Sequence, residues 1–441
     1  MSKIIEKVFD QHITNHEQTH QLAEPFQSAY TEKHSTETAL VRIMNDLLMA
    51  VDKDGAAILV FLDLSAAFDT IDHQKLLNRL EHGYGIQGTA YRWIESYLTD
   101  RKQTVIINDQ HSDPKNLEHG VPQGSRVGPK KYTKYTRPIG NIARKHNLQV
   151  HFYADDTQLY VSFKAGNDLD KKAALAKIQA CIAEIQLWMQ ENLLKLNQEK
   201  TELLVISRKG DISIPTVILG GENITPVKSA KNLGVIFENN LSMGSQVNAI
   251  RRSCGYELKC IGRIRKYLDK ESTARLVNAY VTSKLDYCNA LYYKSGDKCL
   301  RKMQQIQNSA ARLIARISKY DRRSITNIRK ELHWLPIEQR IEFKILILTF
   351  KALQKNAPKY LSDLLKPYNP SPGDDSRQHR SKDKNLLDIR NARLQTVGER
   401  AFEISAPKLW KMLTDDLRLI VKEDVFRREL KTFLFRKAYQ C

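Results

Sequence analysis

VHFYADDTQLYVSF (150–163) is two β-rich runs that meet at an acidic pair, Asp155-Asp156. The pattern predicts a hairpin with two carboxylates at its tip. Upstream, AAILVFLDL (56–64) is a nearly continuous apolar run ending in an aspartate, Asp63. Such a run reads as a strand buried on both faces. An acid at the end of a buried strand is rigidly aimed, and acids at a hairpin tip lie side by side. Two-metal phosphoryl transfer needs carboxylates that converge from separate elements around two cations. Mg²⁺ favours one or two carboxylates completed by phosphate and water. The plainer alternatives are a strand-end acid capping the next helix and an ordinary turn, where Asp bonds its own backbone.

Further out, residues 36–51 repeat apolar positions at helical spacing (Leu40, Ile43, Leu47, Val51), with Thr36 and Thr38 as candidate caps. Residues 74–98 predict helix, and TVIIN (104–108) predicts a strand. The strongest helix signal is 171–196, with Leu175, Ile178, Ile182, Ile185 and Met189 on one face. LLVIS (203–207) predicts a strand, 214–225 a hairpin around Gly220-Gly221, and NLGVIF (232–237) the last β-element. From about residue 244 the pattern is almost wholly helical, interrupted by a Pro- and charge-rich linker near 367–385. The fold class is therefore α+β, an antiparallel sheet with helices followed by an all-helical region.

Over 441 residues, 70 Lys and Arg stand against 50 Asp and Glu, a formal net charge of +20. A chain this long divides into more than one domain. An excess of this size suits a polyanion, because neutralised phosphates release counterions. The six cysteines show no CxxC or zinc-finger spacing, so reduced thiols in an intracellular protein, cytoplasmic or nuclear, are expected. The amino end lacks the apolar core of a secretory signal, and no apolar run is long enough to span a bilayer, so no membrane partner is expected. His16-Glu17-Gln18-Thr19-His20 fits HExxH, but the stretch is polar all round and no zinc site is expected there.

FLDLSAAFDTIDH (61–73), GVPQGS (120–125) and FYADD (152–156) occur in that order. They resemble motifs A, B and C of reverse transcriptases in LINE-type (non-LTR) retrotransposons of the CR1 and jockey kind. HSTETAL (34–40), LNQEKTE (196–202), KNLGV (231–235), LHWLPIEQRIEFKI (332–345) and APKLW (406–410) are similar to flanking segments of the same family. The resemblance implies a right-hand polymerase: residual fingers over 1–55, a palm over 56–240, a helical thumb over 241–330 and a helical C-terminal region over 331–441. It implies RNA-directed DNA synthesis on an RNA template and DNA primer from dNTPs, with two Mg²⁺ ions for which Mn²⁺ can substitute. A catalytically inactive nucleic-acid-binding remnant is the alternative, and oligomeric state is not legible.

Residue by residue, the resemblance implies that Asp63, Asp155 and Asp156 bind the metals and that Leu64 offers its backbone carbonyl. Phe68, five residues after Asp63, would collide with a ribose 2′-OH, the group that separates ribose from deoxyribose; the alternative is a core phenylalanine. Gln123 and Gly124 match motif B and would face the incoming nucleotide, or else form a plain turn. Lys200 matches the lysine that protonates or neutralises the leaving pyrophosphate, against a solvated lysine at a helix end. The segment 229–237 resembles the primer-grip hairpin. Arg312, Arg316, Lys319, Arg322 and Arg323 would track the template–primer backbone without reading sequence, or else form a solvated face.

The sequence also departs from the family. SKIIEKV at the amino end matches the region after the arginine-containing fingers segment, so the upstream fingers strands and an endonuclease domain are expected to be absent. After motif B, Arg126, Lys130, Lys131 and Lys134 occupy positions where the family is apolar. Residues 129–145 are still expected to be helical, with Pro129 at the start. Burying unpaired ammonium groups costs several kcal/mol each, so this helix is expected to rotate, to shift outward with its lysine heads reaching water, or to leave the palm loosely packed; the alternative is that the lysines face nucleic acid.

Overall fold

The computed structural model describes residues 2–65, 68–122, 124–212, 214–219, 221–318, 324–368 and 385–440. In chain order its first elements are α1 (Ser2–His20), α2 (Thr36–Asp52), β1 (Gly55–Ser65), α3 (His73–Tyr84) and α4 (Gly88–Leu98). Four two-residue strands follow: β2 (Lys102–Gln103), β3 (Ile106–Ile107), β4 (Gln110–His111) and β5 (Lys115–Asn116). Then come α5 (Gly128–Thr136), α6 (Pro138–Lys145), β6 (Gln149–Tyr153), β7 (Asp156–Lys164), α7 (Asp168–Glu191) and β8 (Lys195–Ile206).

The chain forms two compact units. The first comprises residues 1–32, 58–203 and 213–227, and the second 33–57, 204–212 and 228–441.

The first unit is organised by a four-stranded sheet of order β6-β7-β1-β8. In β1, Ile58, Leu59, Val60, Leu62 and Leu64 are all buried, so neighbouring positions of opposite facing are covered. That is the burial its continuous apolar run predicted. β6 and β7 pair antiparallel with Tyr153 opposite Asp156, forming the expected hairpin. α7 packs on β7 and α6 packs on β6 and α7. The buried set of α7 includes Ile178, Ile182, Ile185 and Met189, while Leu175 lies at its margin.

Three sequence expectations change here. The helix predicted over 171–196 stops at Glu191, and Leu193 takes a positive φ of 53° that breaks it. Residues 195–202 belong to strand β8, so Lys200 sits on a strand and not at a helix end. The predicted helix 74–98 is two helices, and TVIIN supplies only Ile106 and Ile107 to a short, exposed hairpin with β4. Residues 129–145 are helical as expected, divided where Pro138 opens α6.

The lysines of α5 do not turn to water. Lys131 is 3% exposed and Lys134 6%. The reason lies in α1, whose acids the sequence pattern did not bring to this place. Asp10 pairs with Lys130 at 2.7 Å and Glu17 with Lys134 at 2.5 Å. Lys131 lies 3.5 Å from the centroid of the Tyr97 ring, a cation–π contact. Its Nζ makes no hydrogen bond among the described residues, and burial lowers its pKa to about 6.

The second unit is mostly helical. Ser35 caps α2, and Thr38 completes a capping box with it, one position from the caps expected. Helices Gly244–Ile264, Asp297–Ala315, Ile337–Leu353, Phe402–Lys411 and Glu423–Tyr439 form most of the rest. Phe350 stacks on Phe426 at 4.3 Å, with Trp410 tilted against Phe426 at 5.7 Å. Strands Ser229–Asn232 and Val235–Glu238 make the hairpin expected near 229–237. Most of the linker expected near 367–385 lies outside the described residues. No helix among the described residues is long and apolar enough to cross a membrane.

Candidate polymerase centre

β1 carries Asp63 on the sheet interior beside β7 and β8. Asp63 Oδ2 accepts from Asn197 Nδ2 at 3.1 Å and faces Lys200 Nζ at 3.4 Å, both on β8. Asp155 and Asp156 stand at the β6–β7 tip. The register leaves Ala154 and Asp155 as a two-residue loop between Tyr153 and Asp156. Ala154 has a φ of +58°. Glycine usually fills a position of that kind in a two-residue hairpin, and an alanine there costs roughly 1–2 kcal/mol.

The acids sense one another. The Asp156 carboxyl is pushed up to about 6, by lost hydration first and then by the charges of Asp155 and Asp63. Tyr132 of α5 is fully buried, and burial, followed by the charges of Asp155, Asp156 and Asp63, holds its hydroxyl well above the ordinary tyrosine range. Its hydroxyl makes no hydrogen bond among the described residues. A carboxyl raised by two neighbouring carboxylates, near an orphaned buried hydroxyl, belongs to a donor set that suits a hard cation. Among the described residues no three His, Cys, Asp or Glu side chains stand ready-closed around one metal position. Asp63 is instead turned to Lys200 and Asn197.

Motif B docks beside motif A through the backbone. Val121 N donates to Phe68 O at 3.0 Å, and Gly120 N to Ile71 O at 2.8 Å. A Cβ on Gly120 would meet Asp69 O at 2.9 Å, so this approach requires glycine. Phe68 is half-buried with its ring 4.9 Å from that of Tyr132, at the margin of the acidic group. Leu64 is buried next to Asp63 on β1. Gly124 is exposed in open space with a φ of +79°. Gln123 lies outside the described residues.

The structure thus brings Asp63, Asp155, Asp156, Phe68 and Lys200 into one neighbourhood of the first unit. His16 and Glu17 of the HExxH stretch have other partners: the His16 ring nitrogen bonds Tyr84 O at 2.7 Å, and Glu17 pairs with Lys134.

Of the expected basic cluster, Arg312 and Arg316 are described, and both make hydrogen bonds within the helical unit. Arg316 donates to the Leu268 and Arg265 carbonyls at 2.8 and 3.2 Å, and Arg312 to Ser318 O at 3.3 Å. Both therefore help close their own fold. Lys319, Arg322 and Arg323 lie outside the described residues. A surface the sequence reading passed over lies on helix Gly244–Ile264, where Arg252, Tyr256, Lys259 and Arg263 are exposed. Their spacing of i, i+4, i+7 and i+11 puts them in one stripe. That spacing was the signal available in the sequence.

Residues 1–237 match the family model described as "Reverse transcriptase (RNA-dependent DNA polymerase)". The chain is 24% identical over 354 residues to the probable RNA-directed DNA polymerase from transposon BS of Drosophila melanogaster, covering 77% of this chain and 38% of that one. It is 26% identical over 259 residues to the RNA-directed DNA polymerase from mobile element jockey of the same species, covering 57% and 27%. The chain therefore spans well under half the length of these curated relatives. Among solved structures, apo telomerase from Candida tropicalis aligns at a TM-score of 0.38 and 12% identity, covering 77% of this chain and 53% of that one. A likeness that loose carries no argument. The family match covers more than half of the chain, takes in all three acidic positions, and agrees with polymerases of non-LTR mobile elements as relatives: this chain belongs to the reverse transcriptase (RNA-dependent DNA polymerase) family.

Proposed function

We propose that the chain is the RNA-directed DNA polymerase of a LINE-type retroelement, extending a DNA primer on an RNA template with dNTPs. The observation that carries this reading is the placement of three family-matched acids, Asp63 on β1 and Asp155 and Asp156 at the tip of the adjacent β6–β7 hairpin, with the charges of Asp155 and Asp63 felt by the Asp156 carboxyl. In the reaction the primer 3′-oxygen forms a bond to the α-phosphorus of the dNTP. The bond from that phosphorus to the bridging oxygen breaks, the 3′-hydroxyl proton passes to solvent, and pyrophosphate leaves.

Asp63, Asp155 and Asp156 would hold two Mg²⁺ ions, with Mn²⁺ able to substitute. Bound there, such ions lower the pKa of the attacking hydroxyl and offset charge on the leaving group. The Leu64 carbonyl is the adjoining backbone oxygen. Lys200 supplies a proton or a positive charge to the departing pyrophosphate. Phe68 excludes a ribose 2′-OH, while Gln123 and Gly124 line the nucleotide's approach. Residues 1–55 serve as fingers, 56–240 as palm, 241–330 as thumb and 331–441 as a further helical region. The stripe Arg252, Tyr256, Lys259 and Arg263 suits a nucleic-acid backbone, with an aromatic ring among the cations.

The deciding experiment is extension of oligo(dT) on poly(rA) by the full chain with Mg²⁺ or Mn²⁺. Extension that vanishes in Asp155→Asn supports the proposal. The Lys200–Asp63 contact favours a second reading, a remnant that binds nucleic acid without catalysis. Tight template–primer binding with no extension at any metal concentration would establish that reading instead.

A further inference from the structure

The outer edge of the catalytic hairpin is covered by residues 26–29. β6 is the end strand of its sheet, and Gln27 forms a parallel bridge to Phe152 on that edge. Phe152 N donates to Phe26 O at 2.9 Å, and Ser28 N donates to Phe152 O at 2.9 Å. Ser28 Oγ and His151 Nε2 lie 2.9 Å apart, tying the segment to the next residue of β6.

The Gln27 side chain reaches past this bridge to the turn itself. Its Oε1 accepts from Ala154 N at 3.1 Å and from Ala29 N at 2.9 Å, and its Nε2 donates to Ala154 O at 3.4 Å. Gln27 is 7% exposed. One carboxamide thus satisfies both backbone groups of the residue that precedes Asp155, in the manner of a peptide group on a neighbouring strand. That residue is the left-handed alanine. An alanine does not hold a positive φ unaided, and such conformations persist only where surroundings over-determine them.

We propose that Gln27 is a positioning residue for the metal-binding acids: its carboxamide locks Ala154 in the left-handed conformation and so aims Asp155 and Asp156. The inference rests on the reverse-transcriptase reading of that acidic pair. Tyr30, three residues on, senses the Asp155 charge, which raises its hydroxyl after the larger effect of burial. The segment therefore runs alongside the acid it is proposed to aim.

Local amide hydrogen exchange and Mn²⁺ binding, read by the paramagnetic resonance of the free ion, test this on the full chain without requiring activity. Gln27→Ala should speed exchange at the Ala154 turn by about tenfold, the weight of one ordinary hydrogen bond, and should weaken Mn²⁺ binding. Gln27→Glu, which keeps the acceptor for both amides, should restore the slow exchange. In an Ala154→Gly background the Mn²⁺ penalty of Gln27→Ala should shrink, because glycine takes the positive φ unaided. Turn exchange that is the same in wild type and Gln27→Ala overturns the proposal. So does unchanged Mn²⁺ affinity in Gln27→Ala when Asp155→Asn has lost it. If wild type binds Mn²⁺ no better than Asp155→Asn, the metal role of the pair fails, and the aiming role of Gln27 fails with it.

Discussion

Lys200 Nζ stands 3.4 Å from Asp63 Oδ2, across adjacent strands of one sheet. The lysine side chain is 69% exposed, so the contact is loose and open to exchange for a cation. Lys200→Ala should lower the single-turnover rate of nucleotide addition by roughly 10²–10⁴-fold, the span of a lost general acid. Template–primer affinity should hardly move, and Mn²⁺ affinity should rise as Asp63 is released. A rise in metal affinity with no loss of rate would reduce Lys200 to a counter-charge.

Asp156 makes a pH signature. Its carboxyl is raised from 3.8 to about 6 in the folded chain, so between those values the folded state holds more protons than the unfolded one. Stability contributed by the protonated form is therefore present below pH 3.8 and lost as pH rises through 6. Without divalent metal, the thermal midpoint should fall across this window. Asp155→Asn should flatten the fall, since it removes one of the charges responsible. Thermal melts from pH 4 to 7.5 in chelator check both statements.

Phe68 packs against Tyr132 at the edge of the acidic group. Phe68→Val should raise rNTP incorporation relative to dNTP in single-nucleotide kinetics, with a smaller change in dNTP rate. Equal losses for both nucleotides would return Phe68 to a packing role.

Lys131 lies against the Tyr97 ring and makes no hydrogen bond among the described residues. Its folded pKa of about 6 lies below its ordinary 10.5, so the unfolded chain binds more protons between those values. The burial penalty is full below pH 6 and fades as pH climbs toward 10.5, so stability should rise with pH over that range. Lys131→Met should raise the unfolding midpoint at neutral pH and remove part of that slope. Replacing Lys134 by leucine should do the opposite, because Glu17 would lose the ammonium it pairs with.

Binding to template–primer should weaken steeply with salt, since the expected contacts are to phosphates. Charge removal at Arg252, Lys259 and Arg263 together should flatten the salt dependence and leave the melting midpoint in place. Arg316→Ala should lower the midpoint itself, because its guanidinium holds the Leu268 and Arg265 carbonyls. Equal stability loss in both variants would remove the helix Gly244–Ile264 from the binding surface.

The sequence by itself determined the sheet's two decisive elements. A short apolar run ending in Asp63 reads as a covered strand, and the β-formers around Asp155-Asp156 read as a hairpin, because length, β-propensity and turn chemistry are local properties. Motif order then identified the chemistry those acids suit. Local pattern could not place α1, a polar helix whose Asp10 and Glu17 are distant in sequence from the lysines they neutralise. It therefore sent those lysines to water, where the tertiary structure buries them. It also ended α7 too late, since nothing in the apolar spacing marks the left-handed Leu193. The contacts of Lys200 with Asp63 and of Gln27 with Ala154 were equally beyond its reach. Both join residues remote in sequence through side-chain hydrogen bonds or charge, which depend on strand order and edge pairing and leave no periodic trace in the chain.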